Sequence, residues 1–132
     1  MIDVDHFKKI NDDYGHVNGD KVLTALSKSL RSNLRKTDSV FRYGGDEFCI
    51  LLPSTDLNGA LRVAQVLNTQ VKDIEFVYND SPISITISLG VTELKKNDHI
   101  QDVIARADKA LHEAKQAGRD RVTVFKTYYS VQ

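Results

Sequence analysis

A chain of 132 residues, 41% apolar and 27% charged, is long enough to bury one core and too short for two domains. Its 18 basic residues cancel its 18 acidic ones, which excludes a whole-surface attraction to duplex nucleic acid or an anionic membrane and makes any anion site local. A single cysteine, Cys49, excludes an internal disulfide framework, and its place in an apolar run predicts a buried, inert thiol in a reducing compartment.

Met1 to Asp5 reads as the end of a strand, because a two-residue period puts Ile2 and Val4 on one face and Asp3 and Asp5 on the other. Phe7 and Ile10 suit the buried stripe of a short helix, with Asp5 as its N-cap and Gly15 as its stop. Acids placed where a strand hands over to a helix favour a metal or phosphate site, since the helix N-terminus adds free amides and a partial positive charge. Gly15 to Asp20 is predicted to be a polar loop. Asp20 then caps a second helix with the stripe Val22, Leu23, Leu26, Leu30 and Leu34.

Arg35-Lys36-Thr37-Asp38 forms a charged connection into a hairpin whose strands are Ser39 to Phe41 and Phe48 to Leu52, closed by Pro53. Gly44, Gly45, Asp46 and Glu47 make its tip. The glycines remove side chains where a ligand could reach the backbone, and the carboxylates set hard oxygen donors beside that gap, an arrangement suited to a phosphate and its magnesium. Asp56 caps a helix carrying Leu57, Ala60, Leu61, Ala64, Leu67 and Val71, and Phe76 to Tyr78 is a short strand before an Asn79-Asp80 turn.

Ile83 to Val91 alternates cleanly and reads as one strand with a buried face. Asp98 and Gln101 predict a capping-box variant for a last helix with the stripe Ile100, Val103, Ile104, Ala107, Leu111 and Ala114, stopped by Gly118. Lys115 and Arg119 flank its end, and Val122 to Phe125 is a final strand before a polar tail. This order predicts an α+β fold, with helices on a mainly antiparallel central sheet related to the split βαβ type. Asp3 and Asp46 meet if their strands are neighbours. His6, His16, His99 and His112 lack paired metal spacing, and neither a secretory signal pattern nor a bilayer-length apolar run occurs, so a soluble domain is expected.

The stretch from Asp3 to Asp20, the Arg42-Tyr43-Gly44-Gly45-Asp46-Glu47-Phe48 hairpin and the segment from Ala107 to Arg119 together resemble the GGDEF family of diguanylate cyclases, with its nucleotidyl-cyclase-like fold, over nearly the whole chain. The resemblance implies condensation of two GTP molecules into cyclic di-GMP with release of two pyrophosphates, each half-site of a homodimer holding one GTP. It makes Asp3, the Val4 carbonyl and Asp46 the ligands of two Mg²⁺ or Mn²⁺ ions, Asp46 the base for the 3′-hydroxyl, and Glu47 a further acid beside the metals. Many relatives carry Glu at the third motif position, and the family admits Asp.

By the same resemblance, Lys8 supplies a cation near the phosphates, Lys115 and Arg119 grip the terminal phosphates, and Gly44 and Gly45 leave room for substrate. Asn11 and Asp20 read the guanine edge, with His16 a further contact in the same stretch. Arg35 and Asp38 match the family's product-inhibition motif, in which an arginine fork pairs with cyclic di-GMP, and Arg62 adds a contact. Residues 1–126 become the catalytic domain and 127–132 a tail, in a cytoplasmic protein whose parent carries any membrane anchor. The first strand starts later than in relatives, and their preceding helix is missing. A truncated inactive fragment, a non-catalytic GTP or cyclic di-GMP binding module, and a merely dimerising domain are therefore the alternatives to an active cyclase.

Overall fold

The computed structural model of the chain describes residues 1–127. Its elements are β1 (Ile2–Val4), α1 (Phe7–Tyr14), α2 (His16–Ser32), β2 (Ser39–Arg42), β3 (Glu47–Leu51), α3 (Leu57–Val71), β4 (Phe76–Tyr78), β5 (Ser81–Ile83), β6 (Ile87–Val91), α4 (Ile100–Gln116) and β7 (Val122–Val124). β1, only three residues long, is central in a five-stranded sheet of order β2-β3-β1-β6-β7. It pairs antiparallel with β3 and β6, while β6 and β7 run parallel across α4. Helices flank this mainly antiparallel sheet, as the element order predicts; the polar tail beyond residue 127 lies outside the described residues.

Ile2 and Val4 of β1 meet Val22, Leu26 and Leu30 of α2, Leu67 and Val71 of α3, Phe48 and Ile87 in one buried core. Each such burial contributes about 1.5–3 kcal/mol, more than strand propensity can, so packing holds so short a strand in register. Met1, Ala107, Leu111 and Cys49 form a second cluster on the opposite face, beneath α4. Gly90 lets α4 approach: a Cβ there would lie 2.3 Å from the Ala107 oxygen and the Leu111 nitrogen. β3 and β6 run past Met1, and between them opens an apolar groove of about 640 Å³ lined by residues that include Cys49, Leu51, Val91 and Ile104. Cys49 lines this groove and is half-buried rather than buried as expected, its thiol pKa still pushed up chiefly by burial.

Four local expectations are corrected. Gly15, at φ +84°, ends α1 by donating to the Asn11 carbonyl at 2.8 Å and opens α2 directly, so Gly15 to Asp20 is no loop and Asp20 caps nothing. His6, in the left-handed region at φ 54°, stands in the N-cap position of α1 instead of Asp5, whose carboxylate is consumed elsewhere. Residues 83–91 do not form one strand: β5 pairs with β4 in a separate two-stranded sheet, and the chain crosses into the main sheet through residues 84–86. Asp98 accepts from the Lys95 amide and the Arg106 guanidinium, so α4 starts one residue later, with the His99 amide donating to Asp102 at 3.4 Å.

Candidate active site

Strand alternation sends Asp3 and Asp5 toward α4, away from the main core. In register, Asp3 lies opposite Glu47 on β3 and Ser88 on β6, and the Val4 amide donates to the Asp46 carbonyl at 3.2 Å. β1 and β3 are therefore neighbours, and the two acids share one site, where the Asp46 carboxyl acts on Asp3. Asp3 is 6% exposed, its Oδ2 takes the Lys115 ammonium from the end of α4, and its Oδ1 is buried with no hydrogen-bond partner. Burial first, and then the neighbouring Asp46 carboxyl, raise the Asp3 pKa to about 6 against the pull of Lys115.

The tip is held by its own backbone and by a residue absent from our sequence-based site. The amides of Tyr43 and Gly44 both donate to the Glu47 carbonyl, at 2.9 and 3.4 Å. Arg42 folds its guanidinium back so that Nε reaches the Gly44 and Gly45 carbonyls at 3.1 and 2.9 Å. An arginine closing a strand before two glycines was the available signal for this brace. It removes two carbonyl acceptors from the tip and leaves a cation there. Gly45 has open space around its missing Cβ, and Asp46 and Glu47 are half-buried.

Lys8 is exposed on the first turn of α1. Asn11 packs onto α2 where a Cβ at Gly19 would stand 1.9 Å from its Oδ1, so the helix corner brings Asn11 against the neighbour of Asp20. Asp20 is exposed and lines a shallow hollow with Val17, Lys21 and Thr24; His16 is exposed on the first turn of α2. Arg119 is half-buried in a turn directly after α4 and takes φ 64°. α4 thus delivers Lys115 to the carboxylates and ends with Arg119 nearby in sequence.

The Arg35–Asp38 pair forms a separate cluster, at the end of β2 opposite the tip. The Arg35 amide donates to Asp38 Oδ2 at 2.8 Å, its Nε reaches Oδ2 at 3.3 Å and its Nη2 reaches Oδ1 at 3.1 Å. That fork holds the Asp38 carboxyl below its usual range. Arg35 also donates to the Pro53 carbonyl and the Thr55 hydroxyl. Arg62 is exposed on α3, and a Cβ at Gly59 on the first turn of that helix would lie 3.9 Å from its Nη2 and 2.9 Å from the Thr55 side chain.

Among the described residues no three His, Cys, Asp or Glu side chains gather as a metal cage. The unpartnered Asp3 oxygen beside a second carboxylate nevertheless fits a hard cation of the kind that keeps water and takes further oxygens from a phosphate substrate. No helix among the described residues is long and apolar enough to cross a membrane.

Comparison with known proteins gives one consistent result. Residues 1–121 match the family described as "Diguanylate cyclase, GGDEF domain". The diguanylate cyclase DgcP of Pseudomonas aeruginosa is 44% identical over 124 residues, covering 94% of this chain but only 18% of that protein. The GGDEF domain of DgcB from Caulobacter crescentus, solved in complex with c-di-GMP, superposes with a TM-score of 0.91 at 29% identity, over 96% of this chain and 75% of that one. The active GGEEF domain of a diguanylate cyclase from Vibrio cholerae superposes with a TM-score of 0.88 at 35% identity, over 96% and 81%.

Proposed function

Because the chain belongs to the GGDEF family of diguanylate cyclases, we propose that residues 1–126 form a catalytic domain that condenses two GTP into cyclic di-GMP and two pyrophosphates. The observation that carries this reading is the buried, unpartnered oxygen of Asp3 set against the Asp46 carboxyl at a glycine-opened tip. Asp3, Asp46 and the Val4 carbonyl would hold two Mg²⁺ or Mn²⁺ ions. When bound, these supply charge neutralisation at the triphosphate, a more acidic 3′-hydroxyl and a stabilised leaving pyrophosphate.

Asp46 accepts the 3′-hydroxyl proton, and Glu47 lends a second acid beside it. Lys8, Lys115 and Arg119 bind phosphate oxygens and stabilise the negative charge that grows on the leaving group. Lys115 pairs with Asp3, so the same ammonium would lie beside the carboxylates where a bound phosphate would sit. Asn11 and Asp20 select guanine by its donor and acceptor edge, with His16 alongside, and Gly44 and Gly45 admit the nucleotide. One domain closes only one bond of the ring. Two copies must face each other with the exposed tips inward, which makes the homodimer the active species.

Arg35, Asp38 and Arg62 would hold cyclic di-GMP as a product inhibitor, a reading supported by Arg35 reaching Pro53 and Thr55 just ahead of α3 and by Arg62 lying near Gly59 on the first turn of α3. GTP and its product place this work in the cytoplasm. GTP turnover with Mg²⁺ across a protein concentration series tests the reading: specific activity should rise with concentration, and cyclic rather than linear product should dominate. Absent turnover with retained cyclic di-GMP binding would replace the cyclase by a binding module.

A further inference from the structure

Asp5 is a second buried carboxylate on the face of β1 that carries Asp3, and the chemistry above makes no use of it. It is 6% exposed, and no cation pairs with it among the described residues. Its Oδ1 accepts from the Ser88 hydroxyl at 2.6 Å, and its Oδ2 accepts from the Thr86 hydroxyl at 2.7 Å and the Asp120 amide at 3.0 Å. A buried carboxylate held by neutral donors alone is tolerated only while every donor stays in place. These contacts therefore lock β1, the entry to β6 and the turn after α4 to one another.

That turn needs holding. Gly118, Arg119 and Asp120 take φ values of 119°, 64° and 47° in succession, a left-handed backbone that is strained for the two non-glycine residues. The Arg119 amide donates to the Ala114 carbonyl at 3.0 Å, and Asp120 Oδ1 takes Asn68 at 3.1 Å and Lys72 at 3.0 Å. Among these anchors, the Asp5 bond alone ties the turn to the segment that bears Asp3. We propose that Asp5 is a positioning residue that fixes the Arg119 turn relative to Asp3. The cation assigned to the terminal phosphates and the carboxylate assigned to the metals then share one rigid frame.

This inference rests on the cyclase reading, and its test separates the two. GTP kinetics with Mg²⁺ are measured on the full chain and on Asp5→Asn, Arg119→Ala and the double variant. Asp5→Asn should raise KM for GTP about tenfold while kcat changes less than about threefold, and in the Arg119→Ala background the same substitution should move KM less than about twofold. Ser88→Ala, which removes one donor and spares the Asp120 bond, should give a smaller rise of the same kind. It replaces Asp5→Asn in both backgrounds if that variant does not fold. An unchanged KM, or equal effects in the two backgrounds, overturns the proposal while leaving the cyclase intact. A parent chain that turns over no GTP overturns the cyclase reading, and this inference with it.

Discussion

Asp3 and Asp38 are both buried, at 6% and 4% exposure, and each meets a cation, yet their carboxyls are shifted in opposite directions. Asp38 receives a backbone amide and an arginine fork that engages both of its oxygens. Asp3 receives one lysine on one oxygen, nothing on the other, and a second carboxyl close by. The difference lies in completeness. The Asp38 corner satisfies its charge from within the chain, whereas the Asp3 site keeps a buried charge under-satisfied, the condition in which a protein can receive a ligand.

Exchanging the charge for a neutral isostere should break the comparison most sharply. Asp3→Asn should lower GTP turnover by at least about 10³-fold, because the metal site loses a ligand, and it should melt no lower than the parent at pH 7. The folded-state pKa of Asp3, about 6, lies above its unfolded value of 3.8, so the stabilisation from holding it protonated is complete below 3.8 and lost as pH rises through 6. The variant's advantage in melting temperature should accordingly shrink toward pH 4. A variant that melts well below the parent at pH 7 would mean that Asp3 is structural.

Asp38→Ala should instead destabilise, by about 1–2 kcal/mol in urea titration after allowance for the half-exposed Arg35 partner, and leave turnover near parental. Unaltered stability would remove the distinction drawn between the two acids. Arg35→Ala sharpens the functional side of the same corner: the concentration of cyclic di-GMP needed for inhibition should rise at least about tenfold, a loss in keeping with one arginine fork. Inhibition equal to that of the parent would assign Arg35 to structure alone.

The smallest effect is on pH. Metal binding must displace the Asp3 proton, so Mn²⁺ affinity, read from the metal-induced shift in melting temperature, should fall about tenfold between pH 7 and pH 5. The Asp38 corner should not respond over that range. Its carboxyl is depressed, so its contribution is present above the unfolded value of 3.8 and lost only as pH falls through the lower folded value. A flat metal affinity from pH 7 to pH 5 would contradict the raised pKa of Asp3.

Periodicity and turn chemistry by themselves determined the α+β class, the apolar stripes of α2, α3 and α4 apart from Leu34, which lies beyond α2, and Ile100, which is 66% exposed, the hairpin with its carboxylate-bearing tip, and the shared face of Asp3 and Asp5. These are local signals, carried by neighbours in sequence. Only the tertiary structure decided what stands over that face. Lys115, 112 residues away, reaches Asp3 because Gly90 lets α4 lie against β6. Asp5, an obvious N-cap in the sequence, turned instead to Thr86, Ser88 and Asp120, leaving a left-handed His6 to begin the helix. Nothing near Asp5 in sequence announces those donors. Residues 83–91 show the same limit, since their unbroken alternation satisfies either sheet and only packing determines where the chain crosses from one to the other. A side chain's partner follows from which surfaces the fold brings together, and that depends on burial summed over the whole chain rather than on any short stretch of it.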